Sequence, residues 1–482
     1  MVIALDVGTS SARAALYDAR GRPVADRFHQ APYEPRVTAD GGVEHDPAAL
    51  LEAVAACLDA VSAGSPREGD VLGVGVTTFW HGLLGFDAAG RAATPVYMWA
   101  DSRAARAAAE LRETLDAVAL HVRTGCHVHS SYWPAKLRWL GREQPALMRR
   151  VARWGSFGEY LELELFGEAA TSVSMASGTG LFDVRAARWD AEALAAARLE
   201  PAQLFAVVER TEGRRTLRAP WAGRWPALRP AAPWFPAIGD GAAGNVGSDC
   251  VTPDRIALNV GTSAALRLVP ASPAPPPRGL WRYAVDRTMP LLGGATSEGG
   301  NVLAWCRSVL HLPDDAALED ALAARAPDSH GLTVLPFLAG ERAPGWRGDK
   351  RAVIAGLSLH TEPLDIVHAA LESVALRLAR VYALLAPHAA ADHVIVASGG
   401  GVTRSRAWSR MLADALGHAI VWSDEPEATS RGAALLALDA VGARSMRGAP
   451  RAPLDEAFVP DPARHARYVA ALERQAALDL KV

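Results

Sequence analysis

The sequence predicts an α/β protein made of two halves of similar build, and three observations carry that expectation. The chain has 482 residues, more than a single core of roughly 250–300 residues accommodates. Short apolar runs alternate with amphipathic helix-like runs, the order expected when strands and helices build one sheet-based fold. Most telling, Ala4-Leu5-Asp6-Val7-Gly8-Thr9-Ser10 returns half a chain later as Ala257-Leu258-Asn259-Val260-Gly261-Thr262-Ser263, with only Asp6 exchanged for Asn259. Each copy lies between apolar runs, so the repeated unit reads as strand, polar turn, strand.

The elements follow in order. Val2–Leu5 is the first strand, residues 6–11 a turn, Arg13–Tyr17 the second strand, residues 18–21 a turn, and Pro23–Phe28 the third strand. Asp46-Pro47 reads as an N-cap followed by proline at the first helical position, and the helix should run to Ser62. Val71–Thr77 is a buried-type strand. Between Thr211 and Pro236, five prolines are interleaved with Trp221, Trp225 and Trp234. That density breaks helices and central strands, which predicts an irregular connector packed on the surface. Pro273–Pro277 should be an exposed loop. Glu362–Leu385 has the period of a long amphipathic helix, Val394–Ala397 of a strand, and Ser398–Gly401 leads into a helix over Arg404–Leu416. Thr429–Val441 reads as a further helix, and a last one starts at Asp461.

Composition removes several function classes. A formal net charge of −3 supplies no concentrated basic face for nucleic acid. No run approaches the roughly 18 apolar residues of a membrane helix, and the opening residues lack a signal peptide's basic start. Cys57, Cys126, Cys250 and Cys306 show no CxxC spacing, as expected of reduced core thiols in a cytoplasmic protein. The Cys126-His127-Val128-His129 cluster has zinc-type ligands but no second cluster to complete a site.

The two Gly-Thr-Ser turns carry the chemistry. Such a turn presents backbone N–H groups and short hydroxyls to anionic oxygens. One alone is an ordinary hairpin tip, but two, one per half, can grip a nucleotide's β- and γ-phosphates across a cleft. Asp6 adds a carboxylate suited to a partly hydrated Mg²⁺ ion, and Asn259 avoids a second negative charge. No GxxxxGK[ST] segment is present, which excludes a P-loop, and Gly73-Val74-Gly75 reads as strand packing. In Gly239-Asp240-Gly241 a carboxylate sits between glycines that let a substrate approach closely. Asp240 is either a helix N-cap or a general base for a hydroxyl attacking the γ-phosphorus. Its position just before the second turn favours the base.

Together these residues resemble the FGGY carbohydrate kinases, the group with glycerol kinase, xylulokinase and gluconokinase. The resemblance runs to about residue 445 and rests on Asp6-Val7-Gly8-Thr9-Ser10-Ser11, Trp99-Ala100-Asp101-Ser102-Arg103, Gly239-Asp240-Gly241, Asn259-Val260-Gly261-Thr262-Ser263 and Ser398-Gly399-Gly400-Gly401. It implies two actin-like (ribonuclease H-like) ATPase domains with an interdomain cleft, over residues 1–242 and 243–445, and a partly helical tail over 446–482. It implies ATP and Mg²⁺, with Asp240 as catalytic base and Asp6 on the metal through water. Gly8, Thr9, Ser10, Ser11, Gly261, Thr262 and Ser263 would bind phosphates, and Gly300, Asn301, Gly400, Gly401 and Ser405 the rest of ATP. Family members often carry a side-chain amide near Ser405, which this chain lacks.

On the substrate side, Trp80, His81, Gly82, Trp99, Asp101 and Arg103, with Asp240, are the expected contacts. Aromatic faces suit C–H bonds, and the polar groups suit hydroxyls. The 99–103 stretch with Lys136-Leu137-Arg138-Trp139-Leu140 resembles the gluconokinase-like branch, and Arg103, Lys136, His81 or His129 could meet a sugar acid's carboxylate. The expected partner is a small sugar, sugar acid or polyol, gluconate first, with no nucleic acid and no membrane; a homodimer is compatible with the sequence. Xylulose or another polyol is the alternative. An actin- or Hsp70-like ATPase switch would leave residues 99–103 and Asp240 without a purpose.

Overall fold

The computed structural model describes residues 1–63, 70–228, 232–272, 274–448 and 451–482. Pro230 and Pro273, both read above as loop-forming, lie outside the described residues.

Two sheets organise the chain. The first has five strands, with Val2–Val7 in the middle. It pairs antiparallel with Ser11–Tyr17, which pairs antiparallel with Pro23–Pro32. On its other side Gly73–Thr78 runs parallel, followed by the parallel Ile238–Gly239. The second sheet has seven strands and repeats this order around Arg255–Val260. Ala264–Leu268 and Met289–Thr296 continue antiparallel on one side, Val394–Ser398 and Ile420–Ser423 parallel on the other. Trp281–Asp286 and Leu454–Phe458 are added at its two edges. The repeated heptapeptide therefore occupies the same place in both sheets, and even its register matches. Asp6 faces Arg13 and Thr77, and Asn259 faces Ala265 and Ser398. The pairs Val7–Ala12 and Val260–Ala264 make the first turn one residue longer.

Local chemistry explains the helices that flank the sheets. Asp46 accepts from Ala48 N at 2.9 Å and starts Pro47–Ser62. Pro363–Leu385 lays most of its length in the core. The helix expected from Arg404 breaks into one turn at Gly400–Thr403 and a longer run, Arg406–Leu416, capped by Ser405. Ala428–Ala440 belongs to the second half of the chain but packs on the first sheet and against Asp240–Gly247. Asp461 caps the final helix, Pro462–Asp479.

The tryptophan-rich segment runs over the surface as expected, but it contains a short helix and buries two of its indoles. Pro220 lies in the first turn of a short helix, Ala219–Arg224, where a missing N–H is tolerated. Trp225 and Trp234 are 1% and 2% exposed, and Trp221 stacks on Trp225. Two buried indoles anchor the connector to the core, while most of residues 211–226 stay exposed on the surface. Residues 274–277 of the expected loop are partly packed, with Pro276 buried. All four cysteines are free and buried, and among the described residues no helix is long and apolar enough to cross a membrane.

Candidate active site

The two Gly-Thr-Ser turns meet at one cavity of about 380 Å³. Gly8, Thr9, Ser10 and Ser11 from the first sheet line it together with Asn259, Gly261, Thr262 and Ser263 from the second. Each turn is closed by its own glycine: Gly8 N donates to Ser11 O and Gly261 N to Ser263 O, both at 2.9 Å. Asp240 lies in the same wall, at the first position of the Asp240–Gly247 helix and not at its N-cap, which is Gly239. Its Oδ1 accepts from Gly241 N at 2.7 Å. Burial raises its pKa while the Arg267 guanidinium opposes the rise, which suits a group that accepts a proton near neutrality.

Asp6 is behind the first turn, buried, with Oδ2 accepting from Arg13 at 3.3 Å. Oδ1 is buried and has no hydrogen-bond partner among the described residues. Desolvation pushes this carboxyl up to about 7, against the pull of Arg13. An orphaned hard oxygen donor beside a phosphate-type turn fits a hydrated divalent cation.

The substrate wall is partly as expected. Trp80, His81 and Trp99 line the cavity. Trp80 donates Nε1–H to Ser174 O at 3.0 Å and meets the Tyr283 ring edge to face. His81 adopts φ 67° and donates Nδ1–H to Gly178 O at 2.6 Å. Burial and the nearby Arg342 hold it well below its ordinary pKa, so the ring is neutral and Nε2 is an acceptor. Trp99 Nε1 lies 3.4 Å from Thr9 Oγ1.

Gly82, Asp101 and Arg103 line neither cavity. A Cβ on Gly82 would fall 2.7 Å from the Phe79 ring, so that glycine serves packing. Asp101 and Arg103 are spent on each other and on Glu44, with Arg103 over the Trp139 ring. This network holds the loop that carries Trp99. Lys136 donates to His81 O and Tyr97 O. His129 is buried and pushed down to about 3 by burial and neighbouring cations. Neither lines the cavity.

Sequence reasoning missed Arg13, Arg267, Trp281, Tyr283 and Arg342, all in the cavity wall. Arg267 had a signal, a lone cation within the apolar Ala264–Leu268 strand that follows the second turn. Trp281 and Tyr283 had another, two aromatics at the alternation of a strand and so on one face. Arg342 sits in a loop and had none.

A second cavity, of about 530 Å³, adjoins the first through Gly261 and Thr262, which line both. Gly300, Asn301, Gly400, Gly401 and Ser405 line it together, with Leu303, Leu318, Leu322, Leu371 and Trp408 providing apolar surface. The Gly300–Val309 helix starts against the second turn, with Gly300 N donating to Gly261 O at 2.7 Å. Glycine backbone on one side and leucines on the other leave a slot for a flat heterocycle.

The zinc-type sequence cluster is not a metal site. His127 is stacked between His121 and Trp346, and Cys126 Sγ lies 3.4 Å from Ser177 O. Among the described residues, His330, His368 and Glu372 do converge. However, His330 Nδ1 accepts from Leu332 N, so its proton is on Nε2 and donates to Glu372. That arrangement bonds a carboxylate and leaves His330 without a lone pair for a metal.

Known proteins agree with this geometry. The sequence signature of the FGGY family of carbohydrate kinases, N-terminal domain, matches residues 1–247, and that of the C-terminal domain matches residues 256–441. The chain is 28% identical to a gluconokinase of Bacillus subtilis over 92% of this chain and 88% of that protein. Two solved structures from Lactobacillus acidophilus, a ligand-bound xylulose kinase and a gluconate kinase, each superpose with a TM-score of 0.89 at 25% identity. Each comparison covers 99% of this chain and 97% of the other. With paired phosphate-type turns across a cleft between two actin-like domains, this chain belongs to the FGGY family of carbohydrate kinases, enzymes that transfer a phosphoryl group from ATP to a carbohydrate hydroxyl.

Proposed function

We propose that this kinase phosphorylates a hydroxyl of a sugar acid, gluconate first, with a pentulose such as xylulose as the alternative acceptor. The observation that carries the reading is the convergence of both turns and Asp240 on one cavity that continues into a second, apolar one. The likeness to a gluconokinase and a gluconate kinase supports the choice of acceptor. The likeness to a xylulose kinase keeps the alternative in view.

In this reading the purine and ribose lie in the second cavity against Gly300, Asn301, Gly400, Gly401 and Ser405. The phosphates cross at Gly261 and Thr262, held by Gly8, Thr9, Ser10 and Ser11 on one side and Ser263 on the other. Asp6 would hold Mg²⁺ through water, and the ion supplies neutralisation of the phosphate oxygens. Trp80 and Trp99 pack on the acceptor's C–H faces, and His81 Nε2 accepts from one of its hydroxyls. Asp240 takes the proton of the attacking hydroxyl, its free oxygen directed by the bond that Gly241 N makes to Oδ1. We take residues 1–242 as the acceptor-side domain and 243–445 as the nucleotide-side domain, with 446–482 attached to the latter. Reduced, buried thiols and the need for ATP fit the cytoplasm.

A coupled ADP-release assay over sugars, polyols and aldonates tests the reading. Acceptor-dependent turnover is expected, whereas acceptor-independent hydrolysis would favour an ATPase switch. Asp240→Asn should lower kcat by about 10³-fold, within the range of general-base catalysis, with KM for ATP nearly unchanged. Retained turnover would remove Asp240 from its role.

A further inference from the structure

We infer that Arg267 and Arg342 bind the acceptor's carboxylate and make the site selective for sugar acids over neutral sugars and polyols. The inference rests on the phosphotransfer reading above and deepens it.

Strand register brings the two side chains to one wall. Ala265 and Arg267 alternate onto the same face of Ala264–Leu268. Ala265 pairs with Ala295 of the neighbouring strand, and Ala295 O accepts from Ala343 N at 3.0 Å. The residue before Ala343 is Arg342, and all four of Ala265, Arg267, Ala295 and Arg342 line the cavity. Two methyl-sized side chains thus leave open space beside two guanidinium groups.

Neither guanidinium has a hydrogen bond or ion pair with any described residue. Arg342 is 7% exposed, its Nε is unpartnered among the described residues, and its guanidinium lies over the face of Trp99, 4.9 Å away. By contrast, Arg13 in the same wall is matched by Asp6 and Glu427, and Arg103 behind it by Asp101 and Glu44. A guanidinium kept from water without a counter-ion is costly, and among the described residues of the wall Asp240 is the only carboxylate, one for two cations. The missing anion must come with a ligand. Arg342 shares its wall with Trp80, His81 and Trp99, so that anion belongs to the acceptor, and a planar carboxylate matches a guanidinium fork. The other basic groups considered for this task do not compete. Arg103 is consumed, and His129 and Lys136 are buried away from the cavity.

The test compares kcat/KM for gluconate with that for glucitol and xylulose in the full-length enzyme and in Arg267→Gln, Arg342→Gln and Arg342→Lys. The wild type should favour gluconate. Arg342→Gln should lower the gluconate-to-neutral ratio by about 10²-fold, mainly through KM for gluconate. Arg267→Gln should act in the same direction, and Arg342→Lys should recover part of the loss, which also excludes misfolding as its cause. A wild type that prefers a neutral acceptor would overturn the carboxylate assignment and leave phosphotransfer standing. Equal losses in kcat on every acceptor would overturn it too, by giving these arginines to the transferred phosphoryl group. Failure of the wild type on all acceptors would instead sink the underlying phosphotransfer reading.

Discussion

Lys136 shows how much of the acceptor wall is built by groups that never touch it. Its Nζ donates to His81 O at 2.9 Å and Tyr97 O at 3.1 Å, and so pins the carbonyl of a histidine whose φ is 67°. Burial pulls the amine from 10.5 down to about 7, partly offset by Asp101. A neutral amine has two N–H donors, the number used here. Because the folded value is lower, the folded chain holds fewer protons at this site than the unfolded chain between about pH 7 and 10. Stability from this group therefore rises with pH through that window and is least below it. Comparing the wild type with Lys136→Met by thermal melts, the wild type should gain relative to the variant from about pH 6 to about pH 9, by on the order of a few kcal/mol. A difference that does not change with pH would show that Lys136 is charged in the fold. At this scale the sequence was informative where chemistry and local context coincide, as at Asp240 between glycines. It was silent where a partner arrives from afar. Nothing near Arg103 announces that Glu44 consumes it, and nothing near Arg342 announces that no described residue pairs with it.

Among elements, helices with side-chain caps and strands with clean periodicity were legible, because their signals are local. Asp46, Asp461 and the long Pro363–Leu385 run are examples. In the Trp-rich connector the surface path was legible, but the anchoring of Trp225 and Trp234 in the core was not, because it depends on partners distant in sequence. The Ser398–Gly401 turn was legible as a turn, but its reason is visible only in space. Gly399 has φ 93°, and a Cβ there would lie 2.6 Å from Val260 O. The 398–401 turn and the end of the Arg255–Val260 strand thus touch backbone to backbone, which sets Gly400 and Gly401 at the rim of the second cavity. Gly399→Ala should therefore raise KM for ATP by about tenfold, as the turn retreats by a fraction of an ångström and adopts a strained φ costing about 1–2 kcal/mol. Isothermal titration with ATP in the absence of acceptor reads this directly, and an unchanged affinity would show the contact to be dispensable.

The whole molecule turns on a crossing of two helices. Asp240–Gly247 and Ala428–Ala440 meet through glycines: a Cβ on Gly432 would lie 1.8 Å from Ala243 O, and one on Gly247 1.7 Å from Ala428 O. Gly75 of the first sheet continues the contact, 2.2 Å from Ala433 O, which gives the Gly73-Val74-Gly75 run its packing purpose. The last core helix of the second half thereby clamps both the first sheet and the helix whose first residue is Asp240. Overpacking here cannot be absorbed by a flexible side chain, since the obstacles are carbonyls. Gly432→Ala should cost about 1–3 kcal/mol of stability and, by moving the Asp240 helix by about an ångström, lower kcat by about 10²-fold. Gly244→Ala is the control. On the same helix its nearest neighbour is Thr429 Oγ1 at 3.6 Å, so the methyl fits and should raise the melting temperature slightly. If Gly432→Ala melts lower but keeps its kcat, the crossing is a structural clamp that leaves Asp240 untouched. If both fall while Gly244→Ala is spared, the joint between the halves is what aims the carboxylate at the acceptor.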